Sequence, residues 1–259
     1  MRPNPTSVAV ALALLAGCAS HPPAPPESVA LPYVRDFSGN TPGEIVPQGW
    51  QAWTLSRFKK PTEYRLVSDD GRTVVRARAT SSASGLVHPL DLDAAEYPLL
   101  QWRWKVTDLI PEADNTRKQT EDSPVRLVIS FAGPLDKLEF DDRMFFEQIK
   151  AFTGQQLPYA TLMYIWENRL PVGTIIANAY TSRIKMVVAE SGREKVGVWQ
   201  DHTHNLYQDY ERAFGVKPGR IAAIAIMTDT DNTGANAHAY YGDIAFRRIP
   251  RTRTVYTSD

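Results

Sequence analysis

Asp229, Asp231 and Thr233 stand at alternate positions ahead of Gly234, and oxygen ligands so spaced can converge on one hard cation. A structural calcium ion held by Asp229, Asp231 and Thr233 is therefore one expectation. The pattern is half complete, because Tyr240 stands where a calcium loop carries its bidentate glutamate. The competing reading is metal-free, with Asp and Asn side chains capping backbone N–H groups in a tight Asx-type turn.

A second chemistry lies in the arginines. If strands alternate, Arg103 and Lys105 share a face, as do Arg126 and Ser130, and Arg183 and Lys185. Guanidinium groups on one sheet face would grip carboxylate, sulfate or phosphate in pairs. Arg103 sits between Trp102 and Trp104, so it must form either a core ion pair or a ligand contact. Trp50, Trp53 and Trp166 are platforms on which a sugar ring could stack, whereas Trp102 and Trp104 share the apolar side of their strand. The expected ligand-binding set is Arg103, Arg126, Trp166, Glu167, Asp229, Asp231 and Asn232, converging on an open cleft. The plain alternative is a solvated sheet face whose arginines pair with these acids.

Other constellations fall short. His202 and His204 would point the same way on a strand, but no third histidine is close in sequence to complete a metal site. Around Glu139 the spacing of a glycanase strand begins with Asp141, then Met144 replaces the second glutamate. Neither a Gly-x-Ser-x-Gly elbow nor a glycine-rich phosphate loop is present. No catalytic residue is assigned.

Cys18 is the only cysteine, and it ends the run Leu15-Ala16-Gly17-Cys18. Before it lie a basic Met1-Arg2 start and an apolar stretch from Val8 to Ala16, too short to span a bilayer as a helix. This is the form of a bacterial lipoprotein signal, with residues 1–17 removed and the Cys18 sulfur acylated, palmitate included. Acyl chains would then anchor the protein to a membrane without a spanning helix. Ala19 and Ser20 follow, with no Asp, which favours sorting to the outer membrane, periplasmic face. A proline-rich tether over 18–32 would hold the domain off the membrane, and residues 251–259 read as a loose tail.

The elements that must position these groups are mainly strands. Acidic and basic residues balance at 29 each, so no global field draws the chain to nucleic acid. Residues 99–106 send Leu100, Trp102, Trp104 and Val106 to one side and Gln101, Arg103 and Lys105 to the other. Similar alternation marks 73–79, 125–131, 161–166, 183–189 and 237–246, while 221–227 is apolar on both faces and reads as a central strand. Two helices break the rhythm, over 137–152 before Gly154 and over 205–214 before Gly215. The expected fold is mainly β, an antiparallel sandwich of jelly-roll, galactose-binding-like type over 33–250 with one or two short helices.

Several segments together resemble the domain of unknown function 3047 family, a group of bacterial lipoproteins. They are Gln101-Trp102-Arg103-Trp104, Pro124-Val125-Arg126 leading to Ser130-Phe131, Tyr164-Ile165-Trp166, and Asp209-Tyr210 before Phe214-Gly215. The most specific is the run from Met227 to Gly234 followed by Tyr240-Tyr241-Gly242-Asp243-Ile244. The resemblance implies a family and no activity. Asp36-Phe37 near the start and Gly242-Asp243-Ile244 near the end are also similar to the opening and closing strands of jelly-roll carbohydrate-binding modules, which lie side by side.

The resulting expectation is an outer-membrane-anchored periplasmic lipoprotein whose domain binds an envelope saccharide, an anionic one included, without changing it. The rivals are a hydrolase of envelope polysaccharide using Asp229, Asp231 or Glu167, and a structural partner in an envelope assembly.

Overall fold

The computed structural model describes residues 33–250, and the expectations for residues 1–32 and 251–259, Cys18 among them, lie outside the described residues. The strands are β1 (Gln51–Thr54), β2 (Glu63–Asp69), β3 (Arg72–Thr80), β4 (Ala83–Leu92), β5 (Leu99–Val106), β6 (Ser123–Phe131) and β7 (Ala160–Glu167). Then come β8 (Ile175–Ala177), β9 (Ile184–Ser191), β10 (Gln200–Asn205), β11 (Ile221–Asp229) and β12 (Asn236–Arg247). Helix α1 (Phe140–Thr153) lies between β6 and β7, and α2 (Leu206–Phe214) follows β10 directly.

They form two sheets, one in the order β1-β4-β11-β6-β7-β9-β8 and one in the order β10-β5-β12-β3-β2. Alternation decides which side of each strand faces the other sheet. Leu100, Trp102, Trp104 and Val106 of β5 meet Leu127 and Ile129 of β6, Leu162 and Tyr164 of β7, and Ile224 and Ile226 of β11 in one core. Trp104 is wholly buried. β11 is a central strand, and its other face, with Ala225 and Met227, is covered as well, which is why it reads as apolar on both sides.

The mainly β sandwich is as the alternation predicts, with one departure from a purely antiparallel arrangement. β9 runs parallel to β7. The chain leaves β7, travels to the sheet edge as β8 and returns by an antiparallel turn, so β9 is inserted between them. Both helices end where glycine adopts the left-handed conformation, at Gly154 (φ 73°) and Gly215 (φ 72°). The segment that leads into the sandwich is tied to its last strand: the Asp243 carboxylate on β12 accepts hydrogen bonds from the Phe37 and Ser38 amides at 2.7 and 2.9 Å, and from the Ser38 hydroxyl at 2.6 Å. Among the described residues, no helix is long and apolar enough to cross a membrane.

Candidate functional site

Arg126 faces outward on β6: register places it between Met227 of β11 and Ile165 of β7, on the side of the sheet facing away from the core. Its side chain is 2% exposed. A guanidinium so buried needs several acceptors, and it has them. Nε donates to Asp229 Oδ1 at 2.8 Å, and Nη2 donates to the Glu121 carbonyl at 2.9 Å and to Asn115 Oδ1 at 3.3 Å. The Glu121 carboxylate lies 3.9 Å from Nη1. Asp229 also accepts from the Ser123 amide at 3.1 Å.

The turn after β11 is organised by a residue from the facing loop. Asp122 is fully buried, and its carboxylate accepts from the amides of Asn232 (3.2 Å) and Thr233 (2.7 Å) and from the Thr233 hydroxyl (2.6 Å). Asn232 Nδ2 donates to the Glu121 carbonyl at 3.1 Å, and Lys59 pairs with Asp231 at 2.5 Å. The turn is thus capped by Asp122 and closed by a lysine.

Burial sets the electrostatics. It pushes the Asp229 carboxyl up to about 6 against the pull of Arg126. Burial also raises Glu121, with Arg126 opposing. For Arg126 itself burial works against the charge, but Asp229 and Glu121 outweigh it and raise the group above the ordinary guanidinium range. The Arg126–Asp229 pair is therefore ionic at neutral pH and holds a proton-sensitive carboxyl.

Oxygens of Asp122, Asp229 and Asp231 lie within 4.8 Å of one another, so these three are the groups that could surround a cation. Each already has protein partners: the turn amides and hydroxyl for Asp122, Arg126 for Asp229 and Lys59 for Asp231. Thr233, expected as a ligand, spends its hydroxyl proton on Asp122. This is the chemistry of a capped turn with two built-in cations.

Around this cluster a cleft crosses the outer face of the seven-stranded sheet. One compartment, of about 310 Å³, has Arg126, Asp229, Asp231, Asn232, Glu121 and Lys118 at its polar end and Val128, Met163 and Met227 as its floor. Lys118 sits over the Tyr180 ring, 4.0 Å from its centroid, and Asn178 Nδ2 donates to the Glu121 carboxylate at 3.4 Å. A second compartment, of about 390 Å³, adjoins it and shares Trp53, Lys59, Val128 and Ile184. Trp53 packs against Gly85, its register partner on β4, where a Cβ would stand 2.9 Å from the indole and 2.5 Å from the Ile226 carbonyl.

Of the expected ligand-binding set, the fold brings together Arg126, Asp229, Asp231 and Asn232. Arg103 lies on the outer face of the other sheet, 3.3 Å from Asp201 and stacked on Trp199, so it does not converge with them. Trp166 is 1% exposed in the core and donates to the Gly192 carbonyl. Glu167 is equally buried and accepts from the amides of Arg169 and Leu170, closing a turn. Trp50 is a core residue bound to the Arg35 carbonyl, leaving Trp53 as the platform. Arg183 donates to the Tyr159 carbonyl away from the cleft. His202 stacks on Trp102 (4.7 Å, 18°) and serves packing, while His204 hydrogen-bonds Asp209 at 2.9 Å. Lys59, Lys118, Glu121, Asp122, Asn178 and Tyr180 were not foreseen. The one local signal was the acidic pair Glu121-Asp122 immediately ahead of an arginine-bearing strand.

No curated protein matches the sequence. Solved structures with a related outline include the family 11 carbohydrate-binding module of the cellulosomal cellulase Lic26A-Cel5E of Clostridium thermocellum. It has 10% identity and a TM-score of 0.42, covering 84% of this chain and 95% of that one. A β-1,2-glucanase from Parabacteroides distasonis gives 12% identity and a TM-score of 0.38 over 85% of this chain and 26% of the enzyme. The glycoside hydrolase domain of Endo-D from Streptococcus pneumoniae R6 gives 9% and 0.32 over 76% and 21%. The chain thus spans about a quarter or less of these two enzymes, and superpositions this loose transfer neither residues nor activity. The model of the protein of unknown function family DUF3047 matches residues 48–245, including the Arg126 strand and the capped turn, and the chain belongs to that family.

Proposed function

We propose that this protein is a periplasmic lipoprotein, anchored in the outer membrane through acylated Cys18, whose sandwich binds a saccharide in the cleft on the seven-stranded sheet without altering it. The observation that carries the reading is the polar end of the cleft. Donors (Lys59, Lys118, Asn178, Asn232) and acceptors (Glu121, Asp231) stand side by side in near charge balance, with the Trp53 and Tyr180 rings in the same lining. Hydroxyl groups, which donate and accept at once, suit such an edge better than a bare anion does, and a flat aromatic suits a sugar ring. Retention of envelope glycans on immobilised protein, at low and moderate salt, tests it. Trp53→Ala is expected to weaken binding about tenfold or more; a glycan array and cell-wall fractions without any retained component would refute the reading. Incorporation of labelled palmitate, lost in Cys18→Ser, checks the anchor.

Hydrolysis is the second reading, favoured by one observation: Glu121 and Asp229 line the same compartment and burial raises both carboxyls. Release of new reducing ends from a retained glycan, abolished in Glu121→Gln, would decide for it.

A further inference from the structure

The compartment beyond Trp53 differs in chemistry from the polar end. Phe145 and Ile149 of α1 and Leu157 wall it, and Val87, Val128 and Ala225 floor it. Sugar hydroxyls placed on Val87, Val128 and Ala225 would find Ser130 as the one hydroxyl that the sheet adds to this lining, which leaves most of them unpaired and makes burying them unfavourable. A hydrocarbon chain suits it, because it gains by leaving water and asks for no hydrogen bond. The two compartments share lining residues, so one ligand can occupy both.

The rim points the same way. Phe58, between the lining residues Ser56 and Lys59, is 77% exposed, and Phe152, next to the lining residue Thr153, is 78% exposed. Phe140 and Met144 are also exposed on α1, the helix whose opposite side walls the compartment. Arg57, Lys59, Arg143 and Lys150 accompany them in sequence, with Asp141 and Glu147 also exposed on α1. Large exposed apolar side chains among charges of both signs suit a surface that rests in a headgroup layer carrying both charges.

We propose that the apolar compartment receives an acyl chain from the lipid surface on which this rim rests, so that the ligand of the cleft is an acylated saccharide. The sugar half of this statement rests on the function proposed above; the acyl half stands on the compartment and its rim. The test uses dansyl-undecanoate as probe with the purified protein, offered in solution and from phosphatidylethanolamine–phosphatidylglycerol vesicles. Saturable fluorescence enhancement is expected, weakened about tenfold by Ile149→Glu and by Gln156→Trp, which fills the mouth from an exposed loop, and unchanged by Arg65→Ala on the other sheet. Uptake from vesicles is expected to slow when Phe58 and Phe152 are both changed to Ser. Absence of enhancement, or equal enhancement in all variants, overturns the acyl site whatever the glycans do. Probe uptake with no glycan retained overturns the saccharide reading and leaves the acyl site standing.

Discussion

Arg126 and Asp229 bury opposite charges 2.8 Å apart beneath the cleft, and the two are not equally able to live without each other. A guanidinium cannot shed its charge, whereas a carboxyl already pushed to about 6 by burial can take up a proton. In the folded chain Asp229 binds a proton more readily than its ordinary value of 3.8 allows, so its ionisation works against stability as pH rises from about 4 through 6. Arg126→Met removes the cation that compensates. Its destabilisation is expected to be about 3–5 kcal/mol at pH 8 and smaller by on the order of 1–3 kcal/mol at pH 5. Asp229→Asn, which strands the cation, should show little such relief on acidification. Chemical denaturation of both variants at the two pH values measures the difference. The same partners bear on metal: with Lys59 and Arg126 already neutralising the acids, EDTA is expected to leave the melting temperature unchanged, and a drop of several degrees would show that an ion is bound.

Two strands carry the predictions at the scale of elements. β4 contains Gly85 because the indole of Trp53 and the carbonyl of Ile226 occupy the space of a Cβ. Gly85→Ala is expected to cost about 1–3 kcal/mol through overpacking and to displace Trp53, which a denaturant midpoint together with the change in tryptophan fluorescence will register. β10 turns His202 onto Trp102 and Trp104, and burial, with help from His204 and Lys195, lowers its pKa to about 3. The unfolded chain therefore binds a proton that the fold refuses, and stability falls as pH drops from 6.5 toward 3, by up to about 1.4 kcal/mol per unit. His202→Phe keeps the ring and should flatten that slope; an unchanged slope would assign acid sensitivity to other groups. Most of these elements were legible in the sequence, because a period of two reports the inward side of each strand directly. β5 shows this along its whole length. What the period cannot report is the sheet to which a strand belongs. Arg103 and Arg126 both point outward, but from different layers, so they lie on opposite faces of the sandwich. β9 was legible as a strand and its parallel pairing was not, since that depends on where the short β8 docks. Trp166 is buried for a reason held in a distant segment, the Gly192 carbonyl, and Glu167 because its carboxylate closes a local turn that alternation does not report.

Across the whole molecule, the cleft depends on pieces far apart in sequence: the segment leading from β1 to β2, the loop before β6, α1, and the capped turn after β11. No single stretch announces it, which is why Asp229 and Asp231 could be singled out while Lys118 and Tyr180 could not. A ligand bridging these pieces should stabilise the folded state as a unit. At a hundredfold excess over Kd the gain is about 2.7 kcal/mol, or roughly 5–10 °C for a domain of this size. A thermal-shift series with retained glycans would show it, and an acylated form should exceed its deacylated counterpart.

The Asp243 clasp has a mechanical meaning. Whatever precedes Tyr33 pulls on the domain through residues 35–38, whose Arg35 amide donates to His88 Nε2 on β4 at 3.1 Å and whose Phe37 and Ser38 amides are held by Asp243 on β12, so a load enters both sheets. The two layers are also bonded across the interior, where the Tyr241 hydroxyl of β12 donates to the Met227 carbonyl of β11 at 2.5 Å. A protein held by its leading end would therefore share a pull between the two layers, the bond to the His88 imidazole yielding ahead of those to the Asp243 carboxylate.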